Sequence, residues 1–357
     1  MAPEWEALAA GSGAAPCAHP AWCLPWWEHL GRGRLHVATV RAGGPGSPLL
    51  AVGPFHLRRR GRLQAVRFLG HGLGALSAPV VDPDHPEAAE VLWADLTRRS
   101  SHHLQLVTYD ARDRSLDALR RVAGPGLRVG WEDVCPTIDV AGGYDGEMAR
   151  RPELRRVLRR AARALERRGA AHEVEVVTAA GHAESVLGDL AAVHDAAEAG
   201  RPRQHLLAGR LGAFTRSLVA EAARAGVLRL SIGRVDGRAV SFALCLRGPG
   251  GPALWLNRFD PAYSDIAPGH LLIEEMVTSA AAGGDRSVDL MIGDFRYKRL
   301  WATSSHDTLT VDGSGPAVGA GIRRAEAGAV DAVGAALRRA RAAWSERTGR
   351  SGQSAAR

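Results

Sequence analysis

The stretch from Leu228 to Ile292 constrains this chain most. Leu228 to Val235 alternates as a strand should. Asp236-Gly237 follows, and the two central positions of a tight hairpin turn need positive φ, which this pair tolerates well. Ala239 to Leu246 is then the partner strand. Gly248-Pro249-Gly250-Gly251 turns the chain again, and Ala253 to Phe259 is a third strand. A loop leads to Pro268-Gly269, where a helix opens and runs to about 282, with Pro suited to its first turn. Ser287 to Ile292 reads as a further strand. Three strands joined by tight turns run antiparallel, and the helical crossover makes 253–259 and 287–292 parallel neighbours. Where two parallel strands separate beside a helix start, unpaired N–H groups collect.

The flanking sequence extends this α/β pattern. Residues 1–34 are mixed, with Trp22, Trp26 and Trp27 set for packing. Strands are expected at 35–40, 49–57, 63–69 and 104–109, and helices at 86–99 and 116–122. Two short strands are expected within 127–140. Leu154, Val157, Leu158, Ala161 and Leu165 then mark one face of a helix ended by Gly169. A strand at 172–178 and helices near 183–197 and 205–225 lead into the ordered stretch. Another helix starts near Arg296, and Thr308 to Val311 forms a last strand. The organisation expected is residues 1–147 as one α/β unit, 148–169 as an Arg-rich linking helix, 170–315 as a second unit and 316–357 as a basic helical tail.

Charge belongs to two of these segments. Of 46 basic residues only Lys298 is lysine; nine arginines fall in 148–168 and eight in 321–357. The formal net charge of +8 is therefore local, and a general affinity for nucleic acid does not follow. An arginine helix suits an anionic acceptor, RNA or lipid headgroups, or is simply a solvated face. No run of 18 apolar residues predicts a membrane span, and the first residues have no leader pattern. Cys17, Cys23, Cys135 and Cys245 form no C-x-x-C, so neither a zinc site nor a disulfide framework is expected, and a reducing cytoplasm is the simplest compartment.

Two places can carry chemistry. At the helix start, the amides of Gly269, His270 and Leu271 and the helix dipole suit a pyrophosphate. After the strand at 287–292, Asp294 can accept a proton from an attacking amine or hydroxyl. Tyr297 can protonate a departing thiolate, and Lys298 can hold a phosphate or oxyanion. In a composition that otherwise uses arginine, a retained lysine points to a role arginine does not fill. Gly70-His71-Gly72-Leu73-Gly74-Ala75 matches a dinucleotide fingerprint formally, yet extended, Pro-broken sequence follows where the fingerprint needs a helix. A tight loop lining a substrate groove is the better reading. His102-His103 and His194 lack metal-ligand spacing, and no Cys or Ser sits in a nucleophile–base setting.

The residues resemble those of the GNAT acyltransferase superfamily, in the branch of cellulose-biosynthesis-type acetyltransferases related to Fem-type aminoacyl transferases. The resemblance covers roughly 20–312. It is carried by Arg67-Phe68-Leu69-Gly70, by Leu165 to Gly169, by Gly226 to Leu230 with Asp236-Gly237, by Phe259-Asp260-Pro261 with Pro268 to Leu272, and by Asp289 to Asp294 with Tyr297-Lys298 and Trp301. It implies tandem GNAT-like domains, each a mixed, mostly antiparallel sheet flanked by helices with splayed parallel central strands, the first degenerate. It implies acetyl-CoA or another acyl-CoA in the second V, with its pyrophosphate on Ala267, Pro268, Gly269, His270 and Leu271. A strand N–H near Asn257 would face the thioester, and Asp294, Tyr297 and Lys298 would be catalytic. The family usually has Ser where this chain has Ala267, which removes one hydroxyl from the cradle. The acceptor expected is a small molecule or saccharide. Transfer RNA enters only under a Fem-like alternative, and a non-catalytic binding protein of the same fold is a third reading.

Overall fold

The computed structural model describes residues 1–144, 146, 151–199 and 206–314. The expected basic tail, the first residues of the linking helix and the start of the helix expected at 205 lie outside them. The N-terminal segment is helical, with α1 at Ala2–Ser12 and α2 at Pro20–Leu30. There follow β1 (Arg34–Arg41), β2 (Leu49–Arg60), β3 (Leu63–Phe68), β4 (Val80–Val81), α3 (Ala88–Arg98), β5 (His102–Asp110) and α4 (Ser115–Ala123). One long strand, β6 (Leu127–Asp139), replaces the two short ones expected. The second half contains α5 (Pro152–Arg168), β7 (His172–Val177), α6 (Ala180–Ser185), α7 (Leu187–Glu198) and α8 (Gly209–Arg224). It continues through β8 (Leu228–Val235), β9 (Arg238–Gly248), β10 (Gly251–Phe259), α9 (Pro268–Ala282), β11 (Ser287–Asp289), α10 (Arg296–Trp301) and β12 (Ser304–Gly313).

Local chemistry explains several of these boundaries. Asp236 and Gly237 take φ of 48° and 79°, the turn geometry their sequence suits, and join β8 to β9. Gly169 ends α5 in the left-handed region at φ 62°, with its N–H on the carbonyl of Glu166. Of the expected apolar stripe of α5, Leu154 and Ala161 are buried and Val157, Leu158 and Leu165 half-buried; Ala164 joins the buried face, and the helix's arginines face outward.

The strands form a single mixed sheet flanked by helices, in the order β1-β2-β3-β5-β12-β6-β11-β10-β9-β8-β7, with β4 beside β2. Among the described strands, β3–β5 and β10–β11 pair in parallel. Each half is thus a meander, a helical crossover and a parallel strand. The halves then exchange strands. β12 pairs with β5 of the first half, and β6 pairs with β11 of the second. At the centre β12 and β6 run antiparallel from Ser304↔Thr137 to Gly313↔Leu127. One sheet runs across the boundary expected near 147. The last strand, expected to span only four residues, is a full central strand because it has a partner on both sides.

The core is also shared. Trp22 of α2 is fully buried and meets Trp255 of β10 edge-on at 4.9 Å and Phe214 of α8 at 5.2 Å. An N-terminal helix therefore packs directly on the second half. Among the described residues no helix is long and apolar enough to cross a membrane.

Candidate functional site

Both parallel strand pairs separate, but with different outcomes. In the second half β10 and β11 pair only at Ala253↔Asp289. β10 then bulges between Leu254 and Leu256, and the chain leaves β11 through Met291 at φ 53° and Gly293 at φ 111°. The strand expected to reach Ile292 therefore stops at Asp289, and a V forms between β10 and residues 290–293. In the first half β3 and β5 pair from Gln64↔His102 to Val66↔Leu104, and then an extended segment enters between them. Ser77 bridges to Tyr109 in parallel. Its N–H donates to the Thr108 carbonyl at 3.0 Å, and Asp110 N–H donates to its carbonyl at 3.1 Å. The first V is closed by the stretch that follows the Gly-His-Gly loop.

The start of α9 lies beside the second V. Ala267, its N-cap, is left-handed at φ 49° and supplies no side-chain cap. Of the three amides expected to cradle a phosphate, two already have a partner: His270 and Leu271 both donate to the Ala267 carbonyl, at 2.9 and 3.3 Å. Gly269 N–H makes no hydrogen bond among the described residues. A Cβ at Gly269 would meet only a ring carbon of Phe259, at 3.9 Å, so the backbone faces open space there. Pro268 is buried beneath it. The His270 ring turns inward, accepting from Trp301 Nε1 at 3.0 Å, and burial lowers its pKa. A diphosphate fits this helix start through the Gly269 amide, the open space and the dipole, with less backbone support than expected.

The residues expected to be catalytic after β11, Asp294, Tyr297 and Lys298, separate into three environments. Tyr297 hydroxyl donates to Asn257 Oδ1 of β10 at 3.4 Å, so two expected site residues meet across the V. Burial pushes the Tyr297 phenol up to about 12. Lys298 is only 4% exposed, and its Nζ donates to the carbonyls of Met291 at 3.0 Å and Ile292 at 2.7 Å. Desolvation lowers this ammonium to about 8. Its donors point at protein carbonyls, which differs from the direct grip on a phosphate or oxyanion expected for it. Asp294 is exposed and held by Arg299 at 2.8 Å.

Sequence reasoning missed the neighbours of this wall. Asp289 Oδ1 accepts from Met291 N–H at 2.8 Å, and its Oδ2 accepts from His306 Nε2 at 2.8 Å. Cys135, opposite His306 on β6, completes a group whose ligand-type atoms lie within 4.8 Å of one another. Arg112 stands 3.6 Å from Asp289 and meets its charge with a guanidinium. These residues lie far apart in the sequence, and no local spacing signals them.

A cavity of about 400 Å³ opens on the other side of the Gly-His-Gly loop. Trp26, Leu30 and Leu73 give it apolar walls, His71 lies on its rim, and Arg32 and Arg210 bring positive charge. Trp255, at the β10 bulge, touches the loop that lines it, donating its indole N–H to the Leu73 carbonyl at 3.3 Å. The loop read as lining a groove does line one.

A meander, a crossover helix opening on a glycine and a parallel pair that splits at once define the architecture of the acyltransferase fold that the motifs resemble. Residues 152–299 match the family described as acetyltransferase (GNAT) domain. No curated protein matches the chain in sequence. Among solved structures, FemX superposes with a TM-score of 0.63 at 10% identity, over 87% of this chain and 95% of that one. A conserved protein of unknown function from Bacteroides thetaiotaomicron gives 0.57 at 10% identity, over 88% and 97%. L-PGS from Bacillus licheniformis gives 0.53 at 13% identity, over 87% and 90%. At such identities the likeness is one of fold, and it runs through both halves and not the matched family region alone.

Proposed function

We propose that this chain moves an acyl group from acetyl-CoA or another acyl-CoA directly to an amine or hydroxyl acceptor. One observation carries the reading. Of two equivalent splayed strand pairs, the first takes residues 75–78 between its strands, while the second has no backbone segment hydrogen-bonded there among the described residues and lies beside a helix start where a Cβ at Gly269 would meet only Phe259. The thioester supplies the activated acyl group. Gly269 N–H and the positive end of α9 hold the diphosphate, and the bulged strand β10 presents Asn257 beside the acyl end.

The chain's own groups then have distinct tasks. The acceptor fits the 400 Å³ cavity, where Arg32 and Arg210 favour a small molecule or saccharide carrying negative charge. An amine acceptor, with a pKa near about 10, must shed a proton before or during attack. Asp294 lies outside with Arg299, so that proton passes to water. Tyr297, kept protonated by burial, donates to the departing sulfur. Four buried, unpaired cysteines fit a reducing cytoplasm as the place of work.

Calorimetric titration with acetyl-CoA, octanoyl-CoA and transfer RNA tests the reading. Binding of a CoA thioester, weakened by Gly269→Val, is the expected result. Binding of transfer RNA alone would replace it with a Fem-like donor. The outer face of α5 favours that second reading: Arg155, Arg156, Arg159, Arg160, Arg163 and Arg167 are exposed and make no ion pair among the described residues. Binding of neither would leave a non-catalytic member of the fold.

A further inference from the structure

Between Glu28 and Asp82 the chain carries eight arginines and no Asp or Glu. It is a third basic segment, offset in the net charge by acids elsewhere. Its densest run, Arg58-Arg59-Arg60-Gly61-Arg62, makes the hairpin between β2 and β3. Of the eight, only Arg41 has an ion pair among the described residues, with Glu4 at 2.8 Å. Arg229, Arg234 and Arg258 in the sheet of the second half each meet a carboxylate. One edge of the sheet is therefore left with positive charge that the protein does not balance.

The strand register shows which of these arginines stand together. His56 pairs with Arg67, Arg58 with Ala65 and Arg60 with Leu63. Paired residues share a face, as do residues two apart in one strand, so His56, Arg58, Arg60 and Arg67 lie on one side of the hairpin. Arg58 is exposed and Arg60 half exposed. Arg67 is only 7% exposed, and its Nε and Nη2 both donate to Gln105 Oε1 of β5, a neutral acceptor. A guanidinium withdrawn from water beside like charges, and met only by an amide, lacks the anion that such burial calls for. The same face leads to the 400 Å³ cavity. His56 Nδ1 donates to the Arg32 carbonyl at 3.1 Å, and the Trp26 ring lies 5.1 Å from the His56 ring. Arg32 and Trp26 both line the cavity.

Resting on the acyl-transfer reading, we propose that the acceptor is an acidic polysaccharide. A glycan chain whose units carry carboxylate or phosphate lies along β2 and β3 against Arg58, Arg60 and Arg67, and its end enters the cavity beside Arg32 and Arg210. The length of the row points to a chain: β2 spans about 13 Å from His56 to Arg60, more than one sugar ring bridges. A guanidinium fork takes either kind of anion through two parallel bonds. Single-stranded nucleic acid fits this face less well, because its bases need exposed rings on which to stack. Among the described residues of 31–69 the large apolar side chain that is exposed is Leu35, and none is aromatic. The hairpin arginines hold units that do not react and keep the reacting unit in the cavity longer.

Calorimetry on the full chain tests this with an oligogalacturonate octamer, a phosphorylated dextran, neutral maltooctaose, a uridine octamer and galacturonate itself. One of the two acidic glycans is expected to bind at least about tenfold more tightly than galacturonate and to lose that advantage at high salt. The better of the two identifies carboxylate or phosphate as the anion. Arg58→Gln combined with Arg60→Gln is expected to cost about three- to tenfold in affinity for that glycan, and to raise its KM in CoA release more than the KM for galacturonate. Equal binding of the neutral and acidic glycans, or a hairpin variant that binds the acidic glycan as the parent does, would overturn the proposal while leaving the acyl-transfer reading in place. Tighter binding of the uridine octamer than of either acidic glycan would overturn it in favour of nucleic acid. If acetyl-CoA fails to bind while an acidic glycan binds through the hairpin, the acyl-transfer reading falls and the glycan surface stands. Arg67→Gln is expected to weaken glycan binding further; should it fail to fold, the hairpin variant decides.

Discussion

The Tyr297 hydroxyl and the Asn257 side-chain carbonyl, 3.4 Å apart, join the two walls of the second V. One residue belongs to a short helix after β11 and the other to the bulged strand β10. Under the acyl-transfer reading the contact lies where the thioester sulfur is proposed to sit, and burial pushes the phenol up to about 12.

Tyr297→Phe deletes this donor with almost no change in shape. CoA release is expected to fall by roughly 10- to 100-fold, at the low end of general-acid effects, while KM for acyl-CoA stays near the parent value. Steady-state kinetics separates the two. A loss confined to KM would assign Tyr297 to binding and not to protonation of sulfur.

Lys298 gives a pH signature. Its folded pKa of about 8 lies below the ordinary 10.5, so the unfolded chain holds more protons between those values. Stability from this group therefore rises with pH across that window, by up to about 3 kcal/mol, and is flat below it. Denaturant melts of the parent and Lys298→Met from pH 7 to pH 10.5 should diverge accordingly, the parent gaining. Parallel curves would show that the ammonium is not desolvated.

At the start of α9 the two adjoining positions should respond oppositely. Ala267 is left-handed, which costs a residue with a Cβ about 1 kcal/mol; Ala267→Gly should raise the melting temperature by a few degrees. Gly269→Val meets open space and should leave folding largely intact. Its expected effect is a tenfold or greater loss of acyl-CoA affinity in calorimetry. An unchanged affinity would remove the diphosphate from this helix start.

Closure of the first V rests on Ser77. Ser77→Pro removes the N–H that meets the Thr108 carbonyl and leaves that buried acceptor unpaired, at a cost of about 1–3 kcal/mol. Chemical denaturation should show the loss, and acyl-CoA affinity should not change. Binding of a second acyl-CoA per chain would instead reveal that the segment is a displaceable plug.

The elements of the second half were legible because their signals are local. The Asp236-Gly237 turn, the alternation of its strands and Pro268 ahead of a helix all act within a few residues, and each appears where expected. The meeting of Asn257 with Tyr297 was reachable through family likeness. Less legible was how the site groups are used: two of the three helix-start amides are spent on the Ala267 carbonyl, and Asp294 is spent on Arg299. Those are choices among partners that sequence spacing leaves open.

By itself, then, the sequence determined the order of the elements in the second half from β8 to α9 and the parallel relation of β10 to β11. It could do so because helix and strand periods and turn conformations are properties of short segments. Tertiary structure alone decided that β6 and β12 change sides, that residues 75–78 enter one V, and that Lys298 faces two carbonyls. Each of those outcomes depends on which strand edges and carbonyls lack a partner once the whole sheet has formed. The pairing of Thr137 with Ser304 joins positions too distant in the chain for any local pattern to specify. The single lysine, conspicuous in the sequence, has its surroundings set by a strand only three residues long.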